Sequence, residues 1–536
     1  MSKSKALKSS HKRVEETGGN TKLSILLALA MFVLVVDTSL MNVSLSAVVK
    51  DLDTTVSAVQ SAIALEALVS AAFILISSKL GDIIGRKKAY TIGLLGYAVG
   101  AIAMTLTNNV TAVFIFWAII GGLGASLLLP AMQSLIHGNF TGAAQKKTYA
   151  LVGAAAAIAA AVGPLLGGFL TTFISWRVGF LLEAVIIAVI LFNLNLIKDV
   201  VYDGPKRIDL VGAGLSVVGM GGVVLGILLW QEGAESVGIV IAVGAIGLAL
   251  LAKWLTKRKK EGKEILLDPG LFKLPHFRLG ISQVMMQNII LGGAMIALPI
   301  FLQMTLEYNA MQTGLTMAPL SLMMFAVAIV AGKKAGTRRP SNIIRTGYIL
   351  STIGIALIIP LVPRADSGWI LAIPLLIAGA GLGLLVSQLN NYTLAPIKEE
   401  RVSEAAGVNS ASGSFGLSFG LAMAGGLMLA ALSLSFTNLT NQSTIIPPNE
   451  KQQIYTFLED DAQVFSDSQL QSQLADQPAD VQAEVLAINS EARDVSLQVA
   501  LLVPVIAGFI GIMNSFRMMK LPDIKPTANI EGATLG

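Results

Sequence analysis

Between two long apolar runs the chain carries the decapeptide Lys79-Leu80-Gly81-Asp82-Ile83-Ile84-Gly85-Arg86-Lys87-Lys88. Asp82 and Arg86 are one helical turn apart, so their side chains can form an ion pair. Gly81 lets a neighbouring helix end approach, and Gly85 permits a sharp turn in the backbone. A charge cluster of this kind at a bilayer edge can hold two halves of a protein in one state and release them in another. An ordinary basic loop between two membrane helices is the alternative interpretation.

The apolar runs around this decapeptide have the length of membrane helices. Of the 536 residues, 54% are hydrophobic and only 13% are charged, whereas soluble domains carry about 25% charged residues. A membrane helix needs about twenty consecutive apolar residues. The sequence predicts fourteen such spans, near 23–48, 55–78, 88–107, 111–136, 148–171, 176–197, 208–230, 237–256, 280–305, 313–332, 342–361, 369–391, 405–435 and 496–517.

Basic residues follow the even-numbered spans and predict the orientation of the chain. They include Arg86 to Lys88, Lys146 with Lys147, Lys206 with Arg207, Lys257 to Lys260, and Lys333 with Lys334. Lys and Arg are enriched in cytoplasmic loops. We therefore expect a multi-pass protein of the cell (inner) membrane with both termini in the cytoplasm. The first run has no small-residue cleavage site, so we expect it to be retained as a span.

A weak internal repeat divides the chain. Gly122-Leu123-Gly124 lies in the fourth span and Gly381-Leu382-Gly383 in the twelfth, and each precedes a loop and a span rich in small residues. Transporters often consist of two similar halves. We therefore expect an all-α integral membrane fold of fourteen helices, in two six-helix lobes plus two inserted helices. The expected parts are a cytoplasmic tail 1–22, an N-terminal lobe 23–200, an inserted pair 201–262, a C-terminal lobe 263–517 and a tail 518–536.

One polar and acidic segment, 436–495, interrupts the second lobe and is expected to lie outside the cytoplasm. Its apolar residues recur at roughly helical spacing, which predicts a pair of short amphipathic helices. They are Ile454, Phe457, Leu458, Val464, Leu470, Leu474, Val481, Val485 and Leu486. Disorder is the alternative interpretation.

Three acidic residues fall inside predicted spans: Asp37 in the first, Glu66 in the second and Glu183 in the sixth. An ionised carboxylate is costly within a bilayer, and such residues usually have a function. We predict that the three carboxyls exchange a proton for a cation. The alternatives are a structural carboxyl hydrogen-bonded to a neighbouring helix and, for Glu183, a place near a membrane face.

Polar amides inside the spans are candidates for a substrate cavity. They are Asn42, Gln283, Gln287, Gln388 and Asn390. Gln283 and Gln287 are one turn apart and so share a helix face. These amides either bind a substrate in a central cavity or bond neighbouring helices.

The fifth span contains Gly163-Pro164-Leu165-Leu166-Gly167-Gly168. Proline removes a backbone hydrogen bond and bends the helix, while the glycines provide a close-packing face. We predict a functional bent helix here, and a generic glycine-rich packing helix is the alternative.

Composition also excludes several classes of function. There are no cysteines and only three histidines, so we expect no metal centre and no cofactor. The basic residues alternate with apolar spans rather than forming a stripe, which argues against a nucleic-acid partner. Neither a nucleophile constellation nor a G-x-x-x-x-G-K-[ST] loop occurs, so we expect neither an enzyme nor an ATP-driven pump. The expected partners are a small-molecule substrate, protons and the lipid bilayer, and we expect a monomer.

Three motifs resemble those of a known family. The decapeptide resembles the G-x-L-a-D-r-x-G-r-k-x signature of the major facilitator superfamily, and residues 163–168 resemble the G-P-x-x-G-G element of its antiporters. Residues 34–43 are similar to the L-D-x-T-x-x-N-V element of the fourteen-helix drug:H+ antiporters, with Asp37 as its carboxyl. This resemblance implies multidrug efflux by alternating access, in which protons drive out amphipathic, often cationic, compounds.

One departure from the family pattern leaves other functions open. The family has an arginine about four residues before the Gly122-Leu123-Gly124 element, where this sequence has Ala118 and no basic residue in the span. A dedicated exporter or flippase of an endogenous lipid or metabolite would fit that absence. A membrane receptor or sensor that uses segment 436–495 to bind a partner is the third interpretation.

Overall fold

The structure, a computed structural model, describes residues 20–522 apart from 141, 200–207, 232–235, 334–337, 398–400, 449–450, 453, 455–466 and 476. Most of the two predicted tails therefore lies outside the described residues. The same holds for Lys206, Arg207, Lys334, Phe457, Leu458 and Val464, on which sequence predictions were based.

Throughout the described residues the regular secondary structure is helical, with fourteen long helices. They are α1 Thr21–Val43, α2 Val56–Ile84, α3 Arg86–Leu106, α4 Val110–Asn139, α5 Gly142–Phe173, α6 Trp176–Phe192, α7 Leu210–Gln231, α8 Val237–Lys260, α9 Pro275–Thr305, α10 Ala310–Lys333, α11 Pro340–Ile358, α12 Gly368–Leu394, α13 Val402–Gln442 and α14 Ala479–Met519. All but α6 are apolar over at least 18 residues. Helix α6 has 17 residues and so spans about 25 Å.

The helix boundaries differ from the sequence prediction at the Lys79–Lys88 decapeptide. It is not a loop, because α2 continues through Ile84 and α3 begins at Arg86. Only Gly85 breaks the helix, with a positive φ of 101° that residues with a side chain rarely adopt. A short helix Leu45–Asp51 extends the end of α1.

The helices pack in two sets of six. Helix α1 contacts α5 and α6, α2 contacts α4, and α3 contacts α4 and α6. The same order recurs eight helices later, since α9 contacts α13 and α14, α10 contacts α12, and α11 contacts α12 and α14. The two sets meet through α2 against α13 and α5 against α10. The fold is therefore an all-α membrane fold of two six-helix lobes.

The inserted pair α7–α8 lies where α2 of the first lobe meets α13 of the second, because α7 contacts both helices. Asp209, just before α7, accepts hydrogen bonds of 3.0 and 3.1 Å from the Trp254 indole of α8. Arg258 lies 3.8 Å from the same carboxylate. These contacts hold the two inserted helices together as a hairpin.

A charged cluster after α8 ties this hairpin to α13. The Asp268 carboxylate contacts the Lys259 ammonium at 2.5 Å and the Arg401 guanidinium at 2.7 Å. The backbone N–H of Asp268 donates to the Glu404 carboxylate at 2.7 Å. Partial burial opposes ionisation of Asp268, but the hydrogen bond from Lys259, that from the Gly270 backbone and the charge of Arg401 hold its pKa below the ordinary value. The cluster therefore joins the inserted pair to the second lobe through an ionised carboxylate.

Helices α13 and α14 have 41 residues each, or about 60 Å, twice the hydrocarbon thickness of a bilayer. Their adjoining ends project beyond the other helices, and residues 467–473 form a short helix between them. The prediction of two separate short helices in 436–495 is therefore wrong, since most of the described part belongs to α13 and α14. This projecting region, here called the cap, has its own apolar core of Leu432, Phe436, Ile446, Ile454, Leu470, Leu474, Val481, Val485, Ile488 and Ala492.

We call the end of the bundle that bears the cap the cap face and the end that bears Gly85 the loop face. At the cap face, Gln303 of α9 accepts hydrogen bonds from the Ser46 N–H at 3.0 Å and from the Ser46 hydroxyl, and it donates to the Val43 carbonyl at 3.1 Å. The Met311 N–H of α10 donates to the Thr172 hydroxyl of α5 at 2.9 Å. Hydrogen bonds therefore join the two lobes at the cap face.

Candidate functional site

The Asp37 carboxylate is buried in the middle of the N-terminal lobe, where it is 1% exposed. The Trp117 indole N–H of α4 donates to both of its oxygens, at 3.0 and 2.9 Å. The Tyr97 hydroxyl of α3 donates to Oδ2. Asp37 is thus held by donors from two other helices, and no cation is among the partners that the structure describes for it.

The two other acidic residues predicted from the sequence lie in the same cluster. Glu66 of α2 and Glu183 of α6 are both buried and close enough to Asp37 for electrostatic interaction. The Tyr97 hydroxyl lies within the field of all three carboxylates. Glu183 is 2% exposed, so its side chain lies inside the lobe. Neither Glu183 oxygen has a hydrogen-bond partner among the described residues.

Glycines let the helices of this cluster approach closely. A Cβ added at Gly122 of α4 would lie 2.8 Å from the Glu66 carbonyl oxygen, and one added at Gly124 would lie 2.9 Å from the Tyr97 nitrogen. Both distances are shorter than real Cβ contacts allow, so only glycine fits without a shift. The Gly122-Leu123-Gly124 element therefore brings α4 against both α2 and α3.

The part of α4 that carries Trp117 is π-helical, from Val113 to Gly121. A π-helical segment widens the turns and is frequent at functional sites. The Trp117 ring packs edge-on against Phe180 of α6, with ring centroids 6.3 Å apart. The segment thereby places an indole N–H, and not a charged group, beside Asp37.

Tyr97 and Trp117 were not predicted from the sequence as partners of Asp37. The Trp117–Ala118 region was notable only because the family arginine is absent there. Ala118 is fully buried next to Trp117. A signal was available, since a tyrosine or tryptophan buried in an apolar span usually needs a partner for its polar atom.

The predicted gating residues form a second site at the loop face. Asp82 and Arg86 form an ion pair whose side chains are both 7% exposed. The Lys87 N–H donates to the Asp199 carboxylate at 2.9 Å, and its ammonium donates to the Ile197 carbonyl at 2.9 Å. A Cβ added at Gly85 would lie 2.6 Å from Asp199 Oδ2. Asp199, which follows α6, was not predicted from the sequence.

The glycines of α5 pack against two helices. Cβ atoms added at Gly163 and Gly167 would lie 2.6 Å from Ser39 Cβ and 2.9 Å from Leu40 Cα. One added at Gly168 would lie 2.9 Å from Met311 Cα in α10. The motif with Pro164 therefore packs on α1 beside Asp37 and on the other lobe.

The predicted cavity amides lie in different places. Gln283 is buried and donates to the Gly511 carbonyl of α14 at 3.0 Å, which favours its structural alternative, while Gln287 is half-buried. Asn390 of α12 accepts a hydrogen bond from Asn409 of α13 at 2.6 Å. Gln388, also on α12, is buried. Asn42 donates to the Thr38 carbonyl at 2.9 Å, and its own oxygen has no partner among the described residues.

Similar proteins include drug-resistance and export proteins and a probable transporter. The chain is 27% identical over 420 residues to the multidrug resistance protein Stp of Mycobacterium tuberculosis, covering 77% of each chain. It is 24% identical over 448 residues to the multidrug export protein EmrB of Escherichia coli, covering 82% of this chain and 85% of that one. It is 24% identical over 412 residues to a probable actinorhodin transporter of Streptomyces coelicolor, covering 75% and 71%.

Solved structures share the fold at low identity. A mutant of a peptide transporter POT in complex with sulfate aligns with a TM-score of 0.57 and 16% identity, over 93% of this chain and 95% of that one. A D-xylose-proton symporter aligns with a TM-score of 0.53 and 12% identity, over 76% and 89%. The family model described as Major Facilitator Superfamily matches residues 27–421. With its two six-helix lobes and this match, the chain belongs to the major facilitator superfamily, as a membrane transporter and not an enzyme.

Proposed function

We propose that this transporter exports amphipathic or cationic compounds in exchange for protons, by alternating access between its two lobes. The observation that carries the proposal is the buried cluster of Asp37, Glu66 and Glu183 in one lobe. A buried carboxyl that lacks both a basic partner and hydrogen-bond donors holds a proton or a cation, because an unpaired charge is costly there. Binding of a cation then releases a proton, and reprotonation releases the cation.

The names of relatives support efflux as the direction. Two of them are called a multidrug resistance protein and a multidrug export protein. Conversion of one lobe arrangement into the other requires contacts that form in one state only. We assign that role to the ion-pair cluster of Gly81, Asp82, Gly85, Arg86 and Lys87 at the loop face, and to the lobe-to-lobe packing of α5 at the cap face.

We further propose that the protein lies in the cell (inner) membrane with its loop face and both termini in the cytoplasm. The basic residues of the loop face, including Lys87 and Lys88, support this orientation. The lobes then run from 23 to 200 and from 263 to 517, and the cap projects outside. With hydrogen bonds between the lobes at the cap face, the described conformation is assigned as closed to the outside.

We assign the substrate to the space between the lobes, where Asn42 offers an unpartnered carboxamide oxygen. Gln287, Gln388 and Asn390 supply further polar groups in the C-terminal lobe. Gln283 is the weakest member of this set, because its amide already bonds α14.

The test is ethidium accumulation by inverted membrane vesicles with an imposed pH gradient. Wild-type protein should accumulate the dye, whereas Asp37→Asn and Glu66→Gln should lose most of the rate. If both variants pump normally, the assignment of the carboxyls is wrong. An unchanged rate after the gradient is collapsed would reject proton coupling.

A dedicated exporter or flippase of an endogenous lipid or metabolite is the second candidate. The observation that favours it is Ala118, in place of the arginine that the family's drug antiporters carry. It predicts no drug resistance on overexpression. A receptor or sensor would instead lose function on deletion of the cap and keep it in Asp37→Asn.

A further inference from the structure

We infer that the carboxyls of the N-terminal lobe divide the work: Trp117 and Tyr97 hold Asp37 as a fixed anion, and Glu183 is the group that carries the exchangeable proton. This inference rests on the proposed proton exchange and assigns its residues. Trp117 and Tyr97 are positioning residues, since they act through Asp37.

The surroundings of Asp37 favour a carboxylate. Three donor contacts reach its two oxygens, two from the Trp117 indole and one from the Tyr97 hydroxyl. Hydrogen bonds donated to a carboxyl stabilise its ionised form. A proton on either oxygen would also compete with a donor that is already in place. Trp117 therefore supplies, without a charge, a donor beside the position where the family has its arginine.

The surroundings of Glu183 favour the neutral acid. Both of its oxygens are buried and have no hydrogen-bond partner among the described residues. A carboxylate without donors in an apolar interior costs far more than a neutral carboxyl. The anion of Asp37 adds repulsion against a second negative charge nearby. In this conformation the proton therefore sits on Glu183.

The charged and titratable groups that face Glu183 are limited in number. They are Asp37 of α1 and Tyr97 of α3, and Glu66 of α2 acts on the same Tyr97 hydroxyl. The parts of α4 and α5 in this region contain no ionisable residue, since neither 110–136 nor 150–173 includes an acidic, basic or tyrosine side chain. A change that exposes Glu183 to water or to a cationic substrate would stabilise its carboxylate and release the proton. In this step the O–H bond of Glu183 breaks, and the proton leaves to water as the cation takes its place.

Infrared difference spectroscopy of the purified full-length protein tests this assignment through the carbonyl band of protonated carboxylic acids. The wild-type protein should show a band that Glu183→Gln removes and Asp37→Asn leaves in place. Trp117→Phe, which keeps an aromatic ring but loses the N–H, should add a new band that disappears in the double variant Trp117→Phe/Asp37→Asn. Tyr97→Phe should do the same to a lesser degree.

Tyr90→Phe is the matched control. Tyr90 lies two turns before Tyr97 on α3, is fully buried, and its hydroxyl has no partner among the described residues. This variant should add no band. A carboxylic-acid band pattern that Glu183→Gln leaves unchanged, or no new band in both Trp117→Phe and Tyr97→Phe, would overturn the inference. Because the measurement needs no transport, a protein that shows the assigned bands but moves no protons would reject the proposed function alone.

Discussion

Replacement of Gln303 by leucine should open the cap face. The Gln303 carboxamide makes three hydrogen bonds to the other lobe, two with Ser46 and one with the Val43 carbonyl. Hydrogen bonds between membrane helices contribute on average about 0.6 kcal/mol each, so their loss costs the closed state about 2 kcal/mol. A change of about 1.4 kcal/mol is tenfold in an equilibrium constant. We expect the ratio of open to closed molecules to rise about 30-fold.

Distances between spin labels measure this shift. The chain has no cysteine, so Asn108→Cys and Asp366→Cys place one label on each lobe at the cap face, both at exposed positions. Lys88→Cys and Arg338→Cys do the same at the loop face. Gln303→Leu should lengthen the first distance and shorten the second.

Gln283→Leu is the matched control, because Gln283 lies on the same helix and its carboxamide bonds α14 within its own lobe. It should lower stability and leave both distance distributions unchanged. If Gln303→Leu also leaves them unchanged, these bonds do not hold the closed state.

Three further variants test other parts of the structure. Gly85→Ala should destabilise the protein by about 1–3 kcal/mol in a thermal unfolding assay, because the backbone there favours glycine and a Cβ would meet Asp199. Gly214→Ala is the control and should not change stability in the same assay, because a Cβ at Gly214 of α7 would lie in open space. Asp268→Asn should lower the unfolding temperature, and around neutral pH the difference from the wild-type protein should not change with pH. Since the pKa of Asp268 is lowered in the folded protein, that difference should shrink only as the pH falls below about 4, and a difference that fades at higher pH would contradict this. Leu470→Ala removes a fully buried side chain of the cap at a cost of about 2–5 kcal/mol, so the cap should be cut faster by proteases; an unchanged rate would refute its packed core.

Much of the fold follows from the sequence. Continuous apolar runs predict membrane helices because the backbone must satisfy its own hydrogen bonds in lipid. The position of Asp37 deep in such a run predicts a buried carboxyl. Helix ends were less predictable, because α2 and α14 extend through polar residues that hydropathy assigns to loops.

The partners within the site were harder to predict. Tyr97 and Trp117 are 60 and 80 residues from Asp37 along the chain, and no sequence period connects them. Their approach depends on which faces of α1, α3 and α4 meet, and that is set by the packing of Gly122 and Gly124. The three hydrogen bonds between Gln303 and the first lobe depend on the conformational state and leave no sequence signal.

Exchange of protons for a cation at the buried carboxyls can be measured by counting the protons released when a cation binds. Ethidium is added to purified protein in a weakly buffered solution, and the change in pH gives the protons released per bound dye. The wild-type protein should release protons on binding, and Glu183→Gln should release fewer. Ethidium binding to the wild-type protein without any proton release would contradict the account.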